Sequence, residues 1–185
     1  MEFRLRSQRA RALFAGLLLT AAGVHGQASP AATSGNATVR PLTRSADELR
    51  SILGSIPQLS TWAPEWRPLP SRATDDALER GHRTRTDLTG STLVEGAFEW
   101  APRADRKLWV IPGVAAGRIV IAVLEPGEVP KHLASTVLIE SKPALAISTS
   151  TTDPKQLLWT TCYGCAGHGG SIRLDENGRP AFQYR

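Results

Sequence analysis

Ile119-Val120-Ile121-Ala122-Val123-Leu124 places six apolar side chains in succession. A strand with one wet face alternates apolar and polar residues, whereas an unbroken apolar run needs cover on both faces. This stretch therefore predicts a central strand and a layered domain around it. Short segments rich in Val, Ile, Leu, Thr and Trp surround it: Thr92 to Trp100, Lys107 to Ile111, Arg118 to Leu124, His132 to Glu140 and Leu145 to Ser150. Gln156 to Thr161, Ser171 to Asp175 and Ala181 to Tyr184 continue the series, separated by Gly, Pro or Asp. The fold class expected is mainly β (or α+β), a twisted antiparallel sheet or small β-sandwich with one or two short N-terminal helices.

The last hairpin is the clearest local signal. Ile172 and Leu174 alternate with polar neighbours, as do Phe182 and Tyr184, and Asp175-Glu176-Asn177-Gly178 lies between. Asn177 or Gly178 can supply the positive φ of the turn. Pro180 lacks an amide donor and marks the last strand as an edge.

Upstream, Ser45-Ala46-Asp47-Glu48 matches a capping box, with Leu49, Ile52, Leu53 and Ile56 on one helical face. Gly54 and Pro57 are expected to stop this helix, and residues 46–53 to cover the second face of the central strand. Pro57, Pro64, Pro68 and Pro70 accompany Trp62 and Trp66. Prolines at this density favour extended, polyproline-like chain, here a strap crossing a sheet. Its indoles read as buried anchors, or else as an aromatic binding surface together with His168. Thr74 is expected to cap a second short helix ending at Gly81.

The chain begins with Arg4, Arg6, Arg9 and Arg11, followed by an apolar run of 13 residues from Ala12 to Val24 and small residues around Gly26 to Ala28. That is the layout of a secretory signal peptide, residues 1–27, and the run is short against the roughly 20 residues a spanning helix needs. The expected organisation is then a signal, a flexible tail over residues 28–44 that is poor in large apolar side chains, and a single β-rich domain over 45–185. The mature chain is expected to be periplasmic or secreted, without a transmembrane span. Removing the leader also removes four arginines and Glu2, leaving 18 basic and 16 acidic side chains. What basic charge is concentrated lies in Arg80, His82, Arg83 and Arg85, which read as a solvated loop rather than a broad nucleic-acid-binding face.

Cys162-Tyr163-Gly164-Cys165-Ala166-Gly167-His168-Gly169-Gly170 is the segment that looks chemically arranged. Its glycines make it a loop. Four readings compete: a structural disulfide between Cys162 and Cys165, a zinc site using Cys162, Cys165 and His168, thiol–disulfide exchange, and a merely packed thiol pair. Export and the even cysteine count favour the disulfide. A closed zinc site needs four ligands, and low-pKa redox thiols sit at helix N-termini, which this glycine-rich stretch does not offer. The string Cys162 to Gly169 resembles one copy of the Cys-x-x-Cys-x-Gly-x-Gly unit in the zinc domain of DnaJ-type chaperones. That domain pairs two copies per zinc and this chain carries one, so the resemblance brings over neither fold nor function.

No phosphate-binding loop, Gly-x-Ser-x-Gly elbow, dinucleotide fingerprint or His-Glu-x-x-His is present. His82 reads as solvated and His132 as an edge residue; Asp75/Asp76 and Asp175/Glu176 sit at capping and turn positions. No catalytic residue and no cofactor is assigned. The function expected is a non-catalytic exported binding or accessory protein, with another protein or a cell-envelope surface as partner and no role for nucleic acid. The alternative is a thiol-redox or zinc protein built on Cys162, Cys165 and His168.

Overall fold

Two antiparallel sheets of five strands each form a β-sandwich in the computed structural model, which describes residues 38–69, 76–84, 88–139, 144–163, 165 and 167–185. The elements are β1 (Thr38–Pro41), α1 (Ala46–Ser55), α2 (Asp76–Thr84), β2 (Leu93–Val94), β3 (Phe98–Arg103), β4 (Arg106–Ala115), β5 (Arg118–Glu125), β6 (Lys131–Leu138), β7 (Ala146–Thr149), β8 (Gln156–Thr160), β9 (Gly169–Leu174) and β10 (Pro180–Tyr184). The first sheet runs β1-β3-β4-β5-β6 and the second β10-β9-β8-β7-β2.

The apolar run is β5, and its alternation divides the core in two. Ile119, Ile121 and Val123 face the second sheet, meeting Ile147, Leu157 and Ile172. Val120, Ala122 and Leu124 face the other way, onto Leu49 and Leu53 of α1 and onto Ile56, Leu59 and Trp66 beyond it. The layers are thus helix and strap, first sheet, second sheet, and β5 is apolar throughout because both its faces are inside.

Helix α1 starts as the capping box requires: the Ser45 hydroxyl accepts from the Glu48 amide at 3.2 Å, and the Glu48 carboxylate accepts from the Ser45 amide at 2.7 Å. These bonds, with Arg44 nearby, hold the Glu48 carboxyl below its ordinary pKa. The helix continues through Gly54 to Ser55, so Pro57 lies beyond its end rather than Gly54 marking it.

The strap differs from the expected extended chain. Amides of Leu59, Trp62 and Glu65 bond to the carbonyls three residues back, at 2.9–3.1 Å, so 57–65 is a coil of successive turns. Prolines tolerate such turns, and the wound form seats Leu59, Ala63 and Trp66 on the sheet at regular intervals. Among its described residues the strap joins a ladder at Arg67, exchanging amide bonds with Val114 at 2.9 and 3.0 Å. This also explains how β4 runs past Ile111, where its end was expected. β3 pairs with β4 only as far as Phe98 opposite Val110. By the two-residue period of a strand, Pro112 turns its missing donor to the same side as Val110 and Val114, into the interval between β3 and Arg67.

Two other expectations are revised. Thr38–Pro41 lies in the segment read as tail, yet it is β1, paired with Phe98–Ala101 of β3. A short polar strand carries little hydrophobic signal; here Val39 alone packs on the core. The stretch read as one strand from Thr92 to Trp100 is two strands in different sheets, divided at Gly96, whose φ is +66°. β4 and β5 are joined through Ala116 and Gly117, both at positive φ (50° and 72°), the geometry of a tight hairpin turn. At the last hairpin Gly178 takes the positive φ (75°), and β10 is an edge strand as Pro180 implies. The expected signal peptide, residues 28–37 of the tail and Thr74 lie outside the described residues.

Candidate functional site

The outward face of the second sheet carries the cysteine turn. Cross-strand pairing aligns Ala146, Thr160 and Gly169 in one row, and the Arg185 amide extends it with a 2.9 Å bond to the Gly169 carbonyl. The adjoining row is Ser148, Leu158, Ser171 and Gln183. Both rows have opposite parity to Ile147, Leu157, Trp159 and Ile172, which fill the sandwich core, so they face outward. Ala146, Ser148 and Gly169 are small, and a depression of about 470 Å³ opens above them. Leu88 and Tyr163 wall it, and Cys162 and Cys165 line the end near the turn.

Cys162 and Cys165 are bonded to each other, with their Cα atoms 5.5 Å apart. The disulfide expected from the sequence is therefore present, and paired sulfurs supply no thiolate to a zinc ion. No group of three or more His, Cys, Asp or Glu side chains able to hold a metal forms among the described residues. Thr160 ties the loop shut at its root. Its hydroxyl accepts from the Cys162 amide at 3.1 Å and lies 2.8 Å from the Cys162 carbonyl and 2.9 Å from the His168 carbonyl, either of which can take its proton. The Thr161 amide adds a bond to the same His168 carbonyl at 2.9 Å.

The turn also holds α2. The Tyr163 ring packs on Gly81, so Gly81 is a point of close approach within the helix and not its end. His82 stands edge-on to Tyr163, ring centroids 6.3 Å apart, and its Nε2 lies 2.7 Å from the Ser91 hydroxyl. The expectation of a solvated His82 in a basic loop is thereby corrected: the residue is half-buried in a helix, and burial lowers its pKa. Arg80 and Arg83 are exposed on the same helix, while Arg85 lies outside the described residues.

The residues read as a binding surface do not come together. Trp66 is 1% exposed, its Nε1 stacked on the Gly113 backbone, and belongs to the core under α1. Trp62 is half-buried against the same cluster. His168 is exposed in the cysteine turn, on the other sheet. His132 is on edge strand β6, as expected, with Nε2 3.0 Å from the Ser135 hydroxyl and its pKa lowered by burial. The depression joins Tyr163, Cys162 and Cys165 of the cysteine motif to Leu88, Leu158, Thr160 and Arg185, which belong to no motif. Alternation within β8 marks Leu158 as outward-facing; nothing local indicates that Leu88 lies above it, since more than 60 residues separate them in the chain.

Comparison of the chain with protein-family models, curated proteins and solved structures finds no match.

Proposed function

We propose that this chain is an exported, non-catalytic binding or accessory protein, and that its partner in the periplasm or outside the cell engages the cleft beside the cysteine turn. The observation that carries this reading is the cleft itself: a concavity within the size range of ligand sites, its lining more apolar than polar, with the side chains of Ser148 and Thr160 among its polar groups. Its end wall is covalently closed by Cys162–Cys165. A short disulfide loop keeps the wall in place without the partner, which limits the ordering cost of binding. The bond also accords with an oxidising compartment.

Titration of the oxidised, folded protein with the fluorescent probe anilinonaphthalene sulfonate is expected to saturate at one site per chain. Replacing Leu158 on the cleft floor by Glu is expected to abolish that signal while the melting transition persists. Absence of saturable binding to the native protein would overturn the reading. Export is tested separately: N-terminal sequencing of the protein recovered outside the cytoplasm is expected to show cleavage between Gly26 and Ala28, against an intact leader in the cytosol if export is wrong.

The thiol-redox alternative lacks the helix N-terminus that lowers a reactive thiol's pKa, since no described residue of 161–168 is helical.

A further inference from the structure

At the end of the second sheet remote from the cysteine turn, the β9–β10 turn meets the β3–β4 hairpin of the first sheet. That hairpin closes on Arg103 paired with Arg106. A bulge makes the pairing. Ala101 and Pro102 separate Trp100 from Arg103 in β3, whereas Lys107 alone separates their partners Leu108 and Arg106 in β4. The extra residue turns Arg103 onto the same face as Arg106, toward the second sheet; unbroken alternation from Trp100 would have turned it away. Like charges directly opposite each other destabilise a sheet. Both guanidinium groups nevertheless come to Gly178, where a built Cβ would stand 2.8 Å from Nη1 of Arg106 and 3.6 Å from Nη2 of Arg103. The Arg106 stem is seated against the protein, its Nε buried and without a hydrogen bond, while its terminal nitrogens stay accessible. Carboxylates are near in sequence, but none among the described residues pairs with either arginine. Asp175 accepts from the Arg179 amide at 2.7 Å, and Asp105 and Glu176 are exposed.

We infer that Arg103 and Arg106 form a site for a phosphate group, carried by the free ion or by a small soluble phosphomonoester. Two guanidinium forks offer donors to several oxygens of one tetrahedral anion, whereas a carboxylate has oxygens enough for one fork. The anion also offsets the repulsion that the cross-strand pair builds in. With the Arg106 stem already fixed, little ordering is left to oppose binding. Gly178 keeps the approach clear, because a side chain there would meet Arg106. The site lies apart from the cleft and does not depend on the binding role proposed for it.

The test is calorimetric titration of the purified protein with inorganic phosphate, against chloride at matched ionic strength. Saturable binding of one phosphate per chain is expected, with no counterpart in chloride. Arg103→Gln and Arg106→Gln are each expected to weaken it at least about tenfold. Arg106→Lys is expected to weaken it less than Arg106→Gln, since an ammonium keeps the charge but loses the fork. Arg103 is exposed, so Arg103→Gln keeps the fold, as its melting curve verifies. Absence of saturable phosphate binding, or binding that survives both glutamine substitutions, overturns the site. Sedimentation with phosphatidate vesicles, against phosphatidylcholine vesicles, is the second arm. Retention on phosphatidate by a protein that does not bind free phosphate overturns the soluble-ligand assignment in favour of a membrane surface. Probe binding in the cleft is read separately and is expected to be the same in the wild type and in Arg103→Gln.

Discussion

The ring of Tyr163 lies so close to Gly81 that a Cβ built at Gly81 would stand 2.7 Å from its Cδ2 and 2.9 Å from its Cβ and Cγ. A residue inside the disulfide loop thus sets how near α2 can approach the second sheet. In an isolated helix, replacing Gly by Ala stabilises by about 1 kcal/mol. Here the contact reverses the sign: Gly81→Ala is expected to destabilise by about 1–3 kcal/mol through overpacking. Combining it with Tyr163→Ala should recover much of that loss. A double-mutant cycle in urea checks the coupling, and additive effects would show that the two residues act independently.

The disulfide closes a loop of four residues, so its removal is expected to cost only about 2 kcal/mol. The Cys162→Ser, Cys165→Ser double variant should melt at a lower temperature but still cooperatively. Its binding of anilinonaphthalene sulfonate should weaken more than the melting shift alone predicts, because the cleft loses a fixed wall. Calorimetry and the probe titration measure the two effects separately.

Trp66 and Gly113 form a second close pair, on the opposite side of the first sheet. A Cβ at Gly113 would collide with the indole Nε1 and fall 2.8 Å from the Arg67 carbonyl. Gly113→Ala is expected to displace the strap, at a cost of about 3 kcal/mol, the upper part of the overpacking range. Trp66→Ala should cost about 3–5 kcal/mol by leaving a cavity under α1. Most of the tryptophan emission of the native protein should resist acrylamide, since Trp66, Trp100, Trp109 and Trp159 are buried and Trp62 alone is half-buried. Strong quenching of the native protein would contradict that packing.

Stability should fall on mild acidification. Burial lowers the pKa of His82 and of His132 from the ordinary value of 6.5. The unfolded chain then binds more protons than the folded one between the folded and unfolded pKa values. Stability contributed by the neutral imidazoles is therefore complete above about pH 6.5 and is lost as the pH falls through the lowered folded values. Melting temperatures between neutral and mildly acidic pH should show this slope, and His82→Gln, which can still hydrogen-bond Ser91, should flatten it. An unchanged slope in that variant would place the pH dependence elsewhere.

Ala116 adopts φ +50° in the turn between β4 and β5, a conformation that costs an L-residue with a Cβ about 1–2 kcal/mol. Ala116→Asn is expected to stabilise the protein by up to about 1 kcal/mol, because Asn tolerates that region. Denaturant midpoints measure the gain.

Local patterns made several elements legible. The capping box located α1 because its two reciprocal bonds join residues three apart. The Asp175–Gly178 turn was readable for the same reason: the Gly178 amide bonds back to the Asp175 carbonyl. β1 was hidden because its strand character comes from pairing with β3, more than 50 residues along the chain. The wound form of the strap was hidden because proline density is compatible with both turns and extended chain, and the underlying sheet decides between them. His82 looked solvated because its sequence neighbours are basic, whereas its spatial neighbours are Ser91 and Tyr163.

By itself, the sequence determined the class of architecture and favoured the pairing of the sulfurs, which the structure then showed. An unbroken apolar strand must be covered on both faces, and two cysteines three apart in a glycine-rich turn can close without long-range help. Only the tertiary structure decided where the cleft lies. Its floor exists because Ala146, Thr160, Gly169 and Arg185 fall into one cross-strand row, and its walls because Leu88 and Tyr163 come to stand above that row. Those relations depend on register between distant segments, and register is set by the burial of whole strands rather than by any residue's neighbours in the chain.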